Sequence, residues 1–310
     1  MTTIRAFAPA TVANLAVGYD VLGLALQDRG DTVIAQLSDT PGVEVTSITG
    51  DGGALPRDPK LNTAAIAAQG VLDEAGAQVG VKIELHKGLP IGSGMGSSAS
   101  SAAAAAFAVN RLLGSPLRRS ELVGPCVEAE AVVSGRHADN VAPALLGGLV
   151  LVRSLDPIRL LRLPIPDDLY IAVAHPSFQL STRAAREMLP DTVALSDRTL
   201  AACRIATFVS ACHTGDVELL AECLVDDIVT PARATLIPGA PEAMEAALSA
   251  GALGSSLSGS GPSVFALTRS LSSAERAAAA MCEVFEQHHE HITTLVGPAD
   301  CPGAREIPCT

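Results

Sequence analysis

The amino-acid sequence predicts an α+β chain of two domains, and three observations carry that expectation. Strand-like and helix-like patterns follow one another irregularly, without the strict strand–helix repeat of a doubly wound sheet. The 310 residues favour two units of ordinary size. A proline-studded stretch at 160–168 can join them, which divides the chain into 1–166 and 167–310. Hydrophobic residues make up 48% of the chain, ample for packed cores, so disorder is excluded. With aromatics at 3% and no Trp, Ala, Val and Leu must carry the packing.

Taken in order, residues 4–8 read as an opening strand and 9–23 as a loop. Residues 32–37 and 43–49 are β-rich runs between turn residues. The Asp-Gly-Gly and prolines of 51–59 mark a loop, and 61–75 is helical in pattern, ended by Gly76. Residues 81–86 alternate like a strand. The Ala-rich run 97–113 is the clearest helix, with Gly114 where a C-terminal glycine belongs. Residues 118–134 read as a further helix, 149–152 as a strand and 169–174 as the start of a second β segment. Helices follow at 201–215, 217–227, 242–250 and 273–288, with a Gly/Ser loop running into a strand at 255–268.

The net charge of −12 repels phosphate backbones, which argues against a nucleic-acid partner. Anions must then be bound locally, by backbone N–H groups, a few cations and a metal ion. The seven cysteines (126, 203, 212, 223, 282, 301 and 309) show no Cys-x-x-Cys or zinc spacing and read as free thiols in a reducing compartment. No basic segment followed by an apolar stretch opens the chain, and the longest apolar tract, near 102–109, is far below a membrane span. A cytoplasmic location, away from membranes, is expected.

One segment has the chemistry that the charge balance requires. Between the strand at 81–86 and the Ala-rich helix lie Pro90, Ile91, Gly92, Ser93, Gly94, Met95, Gly96, Ser97, Ser98, Ala99 and Ser100. The glycines permit positive φ and close backbone approach, the serines supply hydroxyls, and the helix N-terminus adds free N–H groups and a positive dipole end. Such a loop cradles phosphate. It is not a Walker A loop, because no Lys follows the last glycine.

That string resembles the signature of the GHMP kinases, the family of galactokinases and of homoserine, mevalonate and phosphomevalonate kinases. Pro9-Ala-Thr-Val-Ala-Asn-Leu-Ala-Val-Gly-Tyr-Asp20 is similar to the family's first motif, and Ser258-Gly-Ser-Gly-Pro-Ser263 to its third. The blocks 134–143, 181–190 and 227–239 resemble the branch that phosphorylates homoserine in threonine biosynthesis. The resemblance implies an N-terminal domain like ribosomal protein S5 domain 2, a ferredoxin-like C-terminal domain, and a homodimer. It departs from the family at Ala16 for Gly, at Tyr19 for Phe, and in a segment before His137 that is one residue short.

The resemblance also implies roles. ATP would lie on loop 90–100, with Asn62 and Lys87 as contacts to adenine or ribose-phosphate, and Mg²⁺ on Glu130 and Ser98. Homoserine would present its carboxylate to Arg186 and Arg233, whose forks suit it, and its ammonium to Asp20. Asn14, His137, Asn140, Thr182 and Gly259 would complete the acceptor site, with Asn14, Ser98 and Asn140 nearest the chemistry. Asn140, rather than Asp139, is expected to face the hydroxyl, with no base in use. Other readings stay open: a kinase of the same family for mevalonate or another alcohol, against which Asp20 and the paired arginines argue, a non-catalytic relative that keeps the fold, or a decarboxylase of the superfamily.

Overall fold

The computed structural model describes residues 2–308, except the side chains at 182 and 183. Its first half runs β1 (Thr3–Ala13), β2 (Leu22–Ser38), β3 (Gly42–Thr49), α1 (Thr63–Glu74), β4 (Gly80–His86), α2 (Ser97–Leu112), a 3₁₀ turn (Arg119–Leu122), α3 (Val123–Ala131), α4 (Val141–Leu146), β5 (Leu149–Leu155) and β6 (Ile158–Leu163). The second half continues with β7 (Tyr170–Pro176), α5 (Thr182–Glu187), α6 (Leu195–Thr214), α7 (Val217–Cys223), α8 (Val229–Ala234), α9 (Ala240–Ser249), β8 (Gly254–Leu257), β9 (Val264–Thr268), α10 (Leu271–Phe285), β10 (Ile292–Pro298) and β11 (Arg305–Glu306). The α+β expectation holds.

Two sheets organise these elements. The first has the order β11-β1-β2-β4-β3, with β5 joined to β2 and β6 to β5. The second is antiparallel, in the order β10-β7-β9-β8. The last strand, β11, returns to the first sheet beside β1.

α2 passes through the first core, with its alanines from 102 to 106 fully buried. Alanine lets this helix lie close to α1 and to the sheet at once, where larger side chains would hold the layers apart. In the second half the period-2 alternation of β7 divides two cores. Ala172 and Ala174 face α9 and α10, while Ile171 and Val173 join Leu22, Leu24 and Leu26 from the first sheet. That shared core ties the two sheets together along one cleft.

Three expectations need correction. β1 continues to Ala13 where a loop was expected from residue 9, because Ala10, Val12 and Ala13 are all buried and hide the alternation. Only residues 14–21 make the turn, with Asn14, Leu15, Ala16 and Asp20 at positive φ. The helix expected over 118–134 is a 3₁₀ turn followed by α3, which carries Pro125 in its first turn, where an absent N–H costs little. Within the 160–168 connector, residues up to Leu163 belong to β6, paired with β5. Among the described residues no helix is long and apolar enough to cross a membrane.

Candidate active site

A cavity of about 360 Å³ lies where the two halves meet, and loop 90–100 forms one wall of it. The loop is held by its carbonyls. Met95 O accepts from Thr11 N–H (3.1 Å), and Gly94 O accepts from Ser258 Oγ (2.7 Å). In a trans peptide the N–H opposes the C=O, so these anchors turn the N–H groups of Met95 and Gly96 the other way, where Ser93 Oγ accepts that of Met95 (3.3 Å). Gly96, at φ 64°, then opens α2, adding the helix's free N–H groups where Ser97 and Ser98 line the cavity. Glycine is required at 94: a Cβ there would lie 2.5 Å from Gly261 O and 2.6 Å from Ser258 O.

A buried ion pair fastens both ends of this loop. Lys87 Nζ pairs with Asp31 and donates to Ser97 O and Ser101 Oγ, both at 2.9 Å. Asp31 Oδ1 accepts from Gly88 N–H and Leu89 N–H, just before the loop. The Lys87 ammonium protons are thus engaged beneath the cradle, and burial lowers its pKa despite Asp31. Lys87, expected at the nucleotide, thus has its ammonium held by the protein. Asn62, expected there too, has its Oδ1 capping α1 by accepting from Ala64 and Ala65, and its Nδ2 donating to Pro56 O. Both still line the cavity, as packing rather than free polar groups.

At the other end lie the acceptor residues. Asp20 receives both forks of Arg186, at 3.0 and 3.1 Å. His137 Nε2 lies 3.1 Å from Arg186. Nε2 also lies 3.2 Å from the Ser134 carbonyl oxygen, and Nδ1 faces Asp20 at 3.7 Å. Burial pushes the His137 pKa down, against the pull of Asp20. The short segment before His137 therefore leaves it in the site.

Arg233 is 2% exposed and has no carboxylate within ion-pair distance among the described residues. Its Nε donates to Ala185 O (3.1 Å) and a terminal nitrogen to Gly259 O (3.2 Å), and burial lowers its pKa. Gly259 O also accepts from Asn14 Nδ2 (3.1 Å), while Asn14 Oδ1 accepts from Asp20 N–H. The Tyr19 ring lies under both guanidiniums, 5.5 Å from Arg186 and 5.3 Å from Arg233. A cation over an aromatic face is favourable.

Between the ends stand Glu130, Asp139 and Asn140. Glu130 is 5% exposed; its Oε2 accepts from Ser134 Oγ (3.0 Å), Ser98 also bonds it, and burial raises its pKa. Glu130 Oε1 has no hydrogen-bond partner among the described residues. Asp139 Oδ1 is in the same condition, and burial, reinforced by Asp20, raises its pKa to about 7. Asn140 Oδ1 accepts from Thr11 Oγ1 (2.7 Å), so its amide N–H₂ remains for a ligand.

The structure thus brings Asn14, Asp20, Ile91, Gly92, Ser93, Gly94, Gly96, Ser97, Ser98, Glu130, His137, Asn140, Arg186, Arg233 and Gly259 to one cavity. Four loop residues fall elsewhere. Pro90 is exposed outside the cavity, and Met95 and Ala99 are buried in the body of the protein. Ser100 bonds Ala8 O and Asp31 N–H. The side chain of Thr182 lies outside the described residues. Sequence reasoning missed Asp31, Thr11 and Ser134; only the Lys87 ammonium, which needs a buried counter-charge, could have signalled Asp31.

Two family models match, one described as the GHMP kinases N terminal domain over residues 62–148 and one as the GHMP kinases C terminal over 208–287. The chain is similar to a homoserine kinase of Chlorobium phaeobacteroides (strain BS1), 43% identical over 99% of this chain and all of the relative. It is also similar to a homoserine kinase of Xylella fastidiosa (strain 9a5c), 43% identical over 97% of this chain and 93% of the relative. The crystal structure of a homoserine kinase from Cytophaga hutchinsonii superposes with a TM-score of 0.95 at 43% identity, covering 99% and 98% of the two chains.

Proposed function

The chain belongs to the GHMP kinases, and from that premise we propose that it transfers the γ-phosphoryl group of ATP to the hydroxyl of L-homoserine, in threonine biosynthesis. One observation carries the choice of acceptor. A phosphate cradle and a set of two arginines and one aspartate share a single cavity. Arg233, buried without a carboxylate, calls for an anion, and Asp20 beside it, paired with Arg186 in the free site, can exchange that partner for a cation. A free amino acid bearing a primary hydroxyl supplies both charges and the nucleophile.

Each residue then has a task. The loop N–H groups and the α2 N-terminus hold the phosphates of ATP. Arg186 and Arg233 take the substrate carboxylate, Asp20 takes its ammonium, and Asn14 with Gly259 O orients Asp20 and Arg233. Asn140, with only N–H groups to offer, holds an oxygen and cannot accept the hydroxyl proton. Phosphoryl transfer has a loose transition state, so alignment and charge neutralisation carry most of the rate and a strong base is not required.

The residues present fit Mg²⁺. Glu130 offers a buried oxygen without a partner, Ser98 a hydroxyl beside it, and there is no cluster of three or more His, Cys, Asp or Glu among the described residues to form an all-protein cage. A single carboxylate completed by phosphate oxygens and water is what Mg²⁺ favours, and the ion would neutralise phosphate charge.

The test is ADP release with homoserine, mevalonate, galactose and shikimate as acceptors. Activity with homoserine alone supports the proposal, and activity only with another alcohol overturns it.

A further inference from the structure

The second Gly/Ser loop, 258–263, contacts the phosphate loop from the side of the second sheet, and a buried histidine stands behind it. β7 and β9 pair with Ala174 opposite Val264, so His175 and Ser263 are the next pair along the same register. Their side chains meet: His175 Nδ1 lies 3.1 Å from Ser263 Oγ. Ser263 Oγ in turn lies 2.6 Å from Ser93 O, in the middle of the phosphate loop. Ser263 and Ser93 are buried, and His175 is 6% exposed.

The direction of these bonds follows from valence. A carbonyl only accepts, so the single Ser263 hydroxyl proton points to Ser93 O. Ser263 Oγ then faces His175 with a lone pair, which requires a proton on Nδ1. We infer that His175, carrying its proton on Nδ1 and acting through Ser263, is a positioning residue that fixes the Ser93 carbonyl and thereby aims the Gly94 N–H into the phosphate site.

The peptide unit 93–94 is rigid, so the Gly94 N–H points opposite to the Ser93 carbonyl. Met95 N–H is already taken by Ser93 Oγ (3.3 Å), which leaves the Gly94 N–H as the donor that this anchor orients. Burial, with His289 nearby, lowers the His175 pKa to about 4, so the ring stays neutral through the physiological range and one tautomer can be fixed. The next carbonyl, Gly94 O, is held by Ser258 Oγ from the same loop. His175 extends this hold to one peptide further and roots it in the second sheet.

The inference rests on loop 90–100 being the ATP-phosphate cradle, and the experiment separates the two. In wild type, long-range ¹⁵N–¹H correlation is expected to show His175 as the Nδ1–H tautomer. His175→Leu is expected to raise KM for ATP about tenfold, the cost of misdirecting one buried hydrogen bond, with KM for homoserine within twofold. His175→Asn, whose amide nitrogen falls near the Nδ1 position, recovers most of the loss, whereas His175→Gln, which mimics Nε2, does not. An Nε2–H tautomer, equal behaviour of the Asn and Gln variants, or a rise in both KM values together overturns the inference. Should His175→Leu fail to fold, the tautomer and the Asn–Gln contrast decide it. A wild-type protein that binds no ATP would instead overturn the proposed function.

Discussion

Replacing Asp139 by Asn separates two consequences of one buried carboxyl. Asp139 is 4% exposed, one of its oxygens has no partner among the described residues, and its pKa rises from 3.8 to about 7, first through burial and then through Asp20. A carboxyl whose native pKa exceeds its unfolded value holds protons more tightly when folded. Stability therefore falls as pH rises from about 4 to about 7 and levels off above that. At about 1.4 kcal/mol for each pH unit, the charged form costs the native state up to about 4 kcal/mol at pH 8. The Asn amide cannot ionise, but its N–H₂ takes the unpartnered place, at about 1–3 kcal/mol. Asp139→Asn should thus be more stable than wild type by about 1–3 kcal/mol at pH 8, and below pH 4 the gain should reverse to a loss of about 1–3 kcal/mol. Urea unfolding at pH 4 and pH 8 measures this, and an equal or lower stability at pH 8 refutes the burial argument. Turnover of the same variant tests the chemistry, because a reaction without a base keeps most of its kcat. A folded variant that binds both substrates but does not turn over would make Asp139 the base, and the proposal for Asn140 would fail.

Glu130→Gln keeps the Ser134 contact but removes the charge; kcat/KM should drop about a hundredfold, with a higher Mg²⁺ requirement and an unchanged or higher melting temperature. Arg233→Lys loses the planar fork, so KM for homoserine should rise by about ten- to a hundredfold while KM for ATP moves far less, as steady-state kinetics would show. Lys87→Met strands the Asp31 charge and should cost about 3–5 kcal/mol in urea unfolding, much of it recovered by adding Asp31→Asn. If Lys87 instead served only the nucleotide, the single variant would be as stable as wild type.

The local patterns were the legible part of this molecule. The Ala-rich helix, its glycine stop and the phosphate loop before it stand close to where their residues predict, because propensity and turn chemistry act within a few residues. β1 beyond residue 9 was hidden, since a strand buried on both faces shows no alternation. β6 was masked by the prolines that follow it. The composition of the site was legible through motifs, but its wiring was not. Lys87 and Asn62 were expected at the nucleotide, and each proves to be held by partners that only the tertiary fold supplies: Asp31 from β2, and the first turn of α1 with Pro56 O. The role of loop 258–263 was ambiguous for the same reason, because its hydroxyls meet residues some 165 positions away.

The Asp20–Arg186 pair gives the proposed site a way to discriminate among acceptors. Without substrate the two charges satisfy each other through both forks. A zwitterion can enter by exchange, its carboxylate replacing Asp20 on Arg186 and its ammonium replacing Arg186 on Asp20, so that no charge loses a partner. An alcohol bearing only a carboxylate takes the arginines and leaves Asp20 without a cation. The asymmetry is limited, because the Asp20 side chain is 33% exposed and water screens it. A discrimination of about 1–2 kcal/mol, or roughly five- to thirty-fold, is the scale to expect. The assay is the ratio of kcat/KM for homoserine to that for 4-hydroxybutanoate, the same alcohol without its ammonium. In Asp20→Asn the charge that requires an ammonium is gone and Arg186 is released, so the ratio should fall toward one, chiefly through lost homoserine activity. A ratio that survives the substitution intact would show that the ammonium is held elsewhere, and the exchange would have no part in acceptor choice.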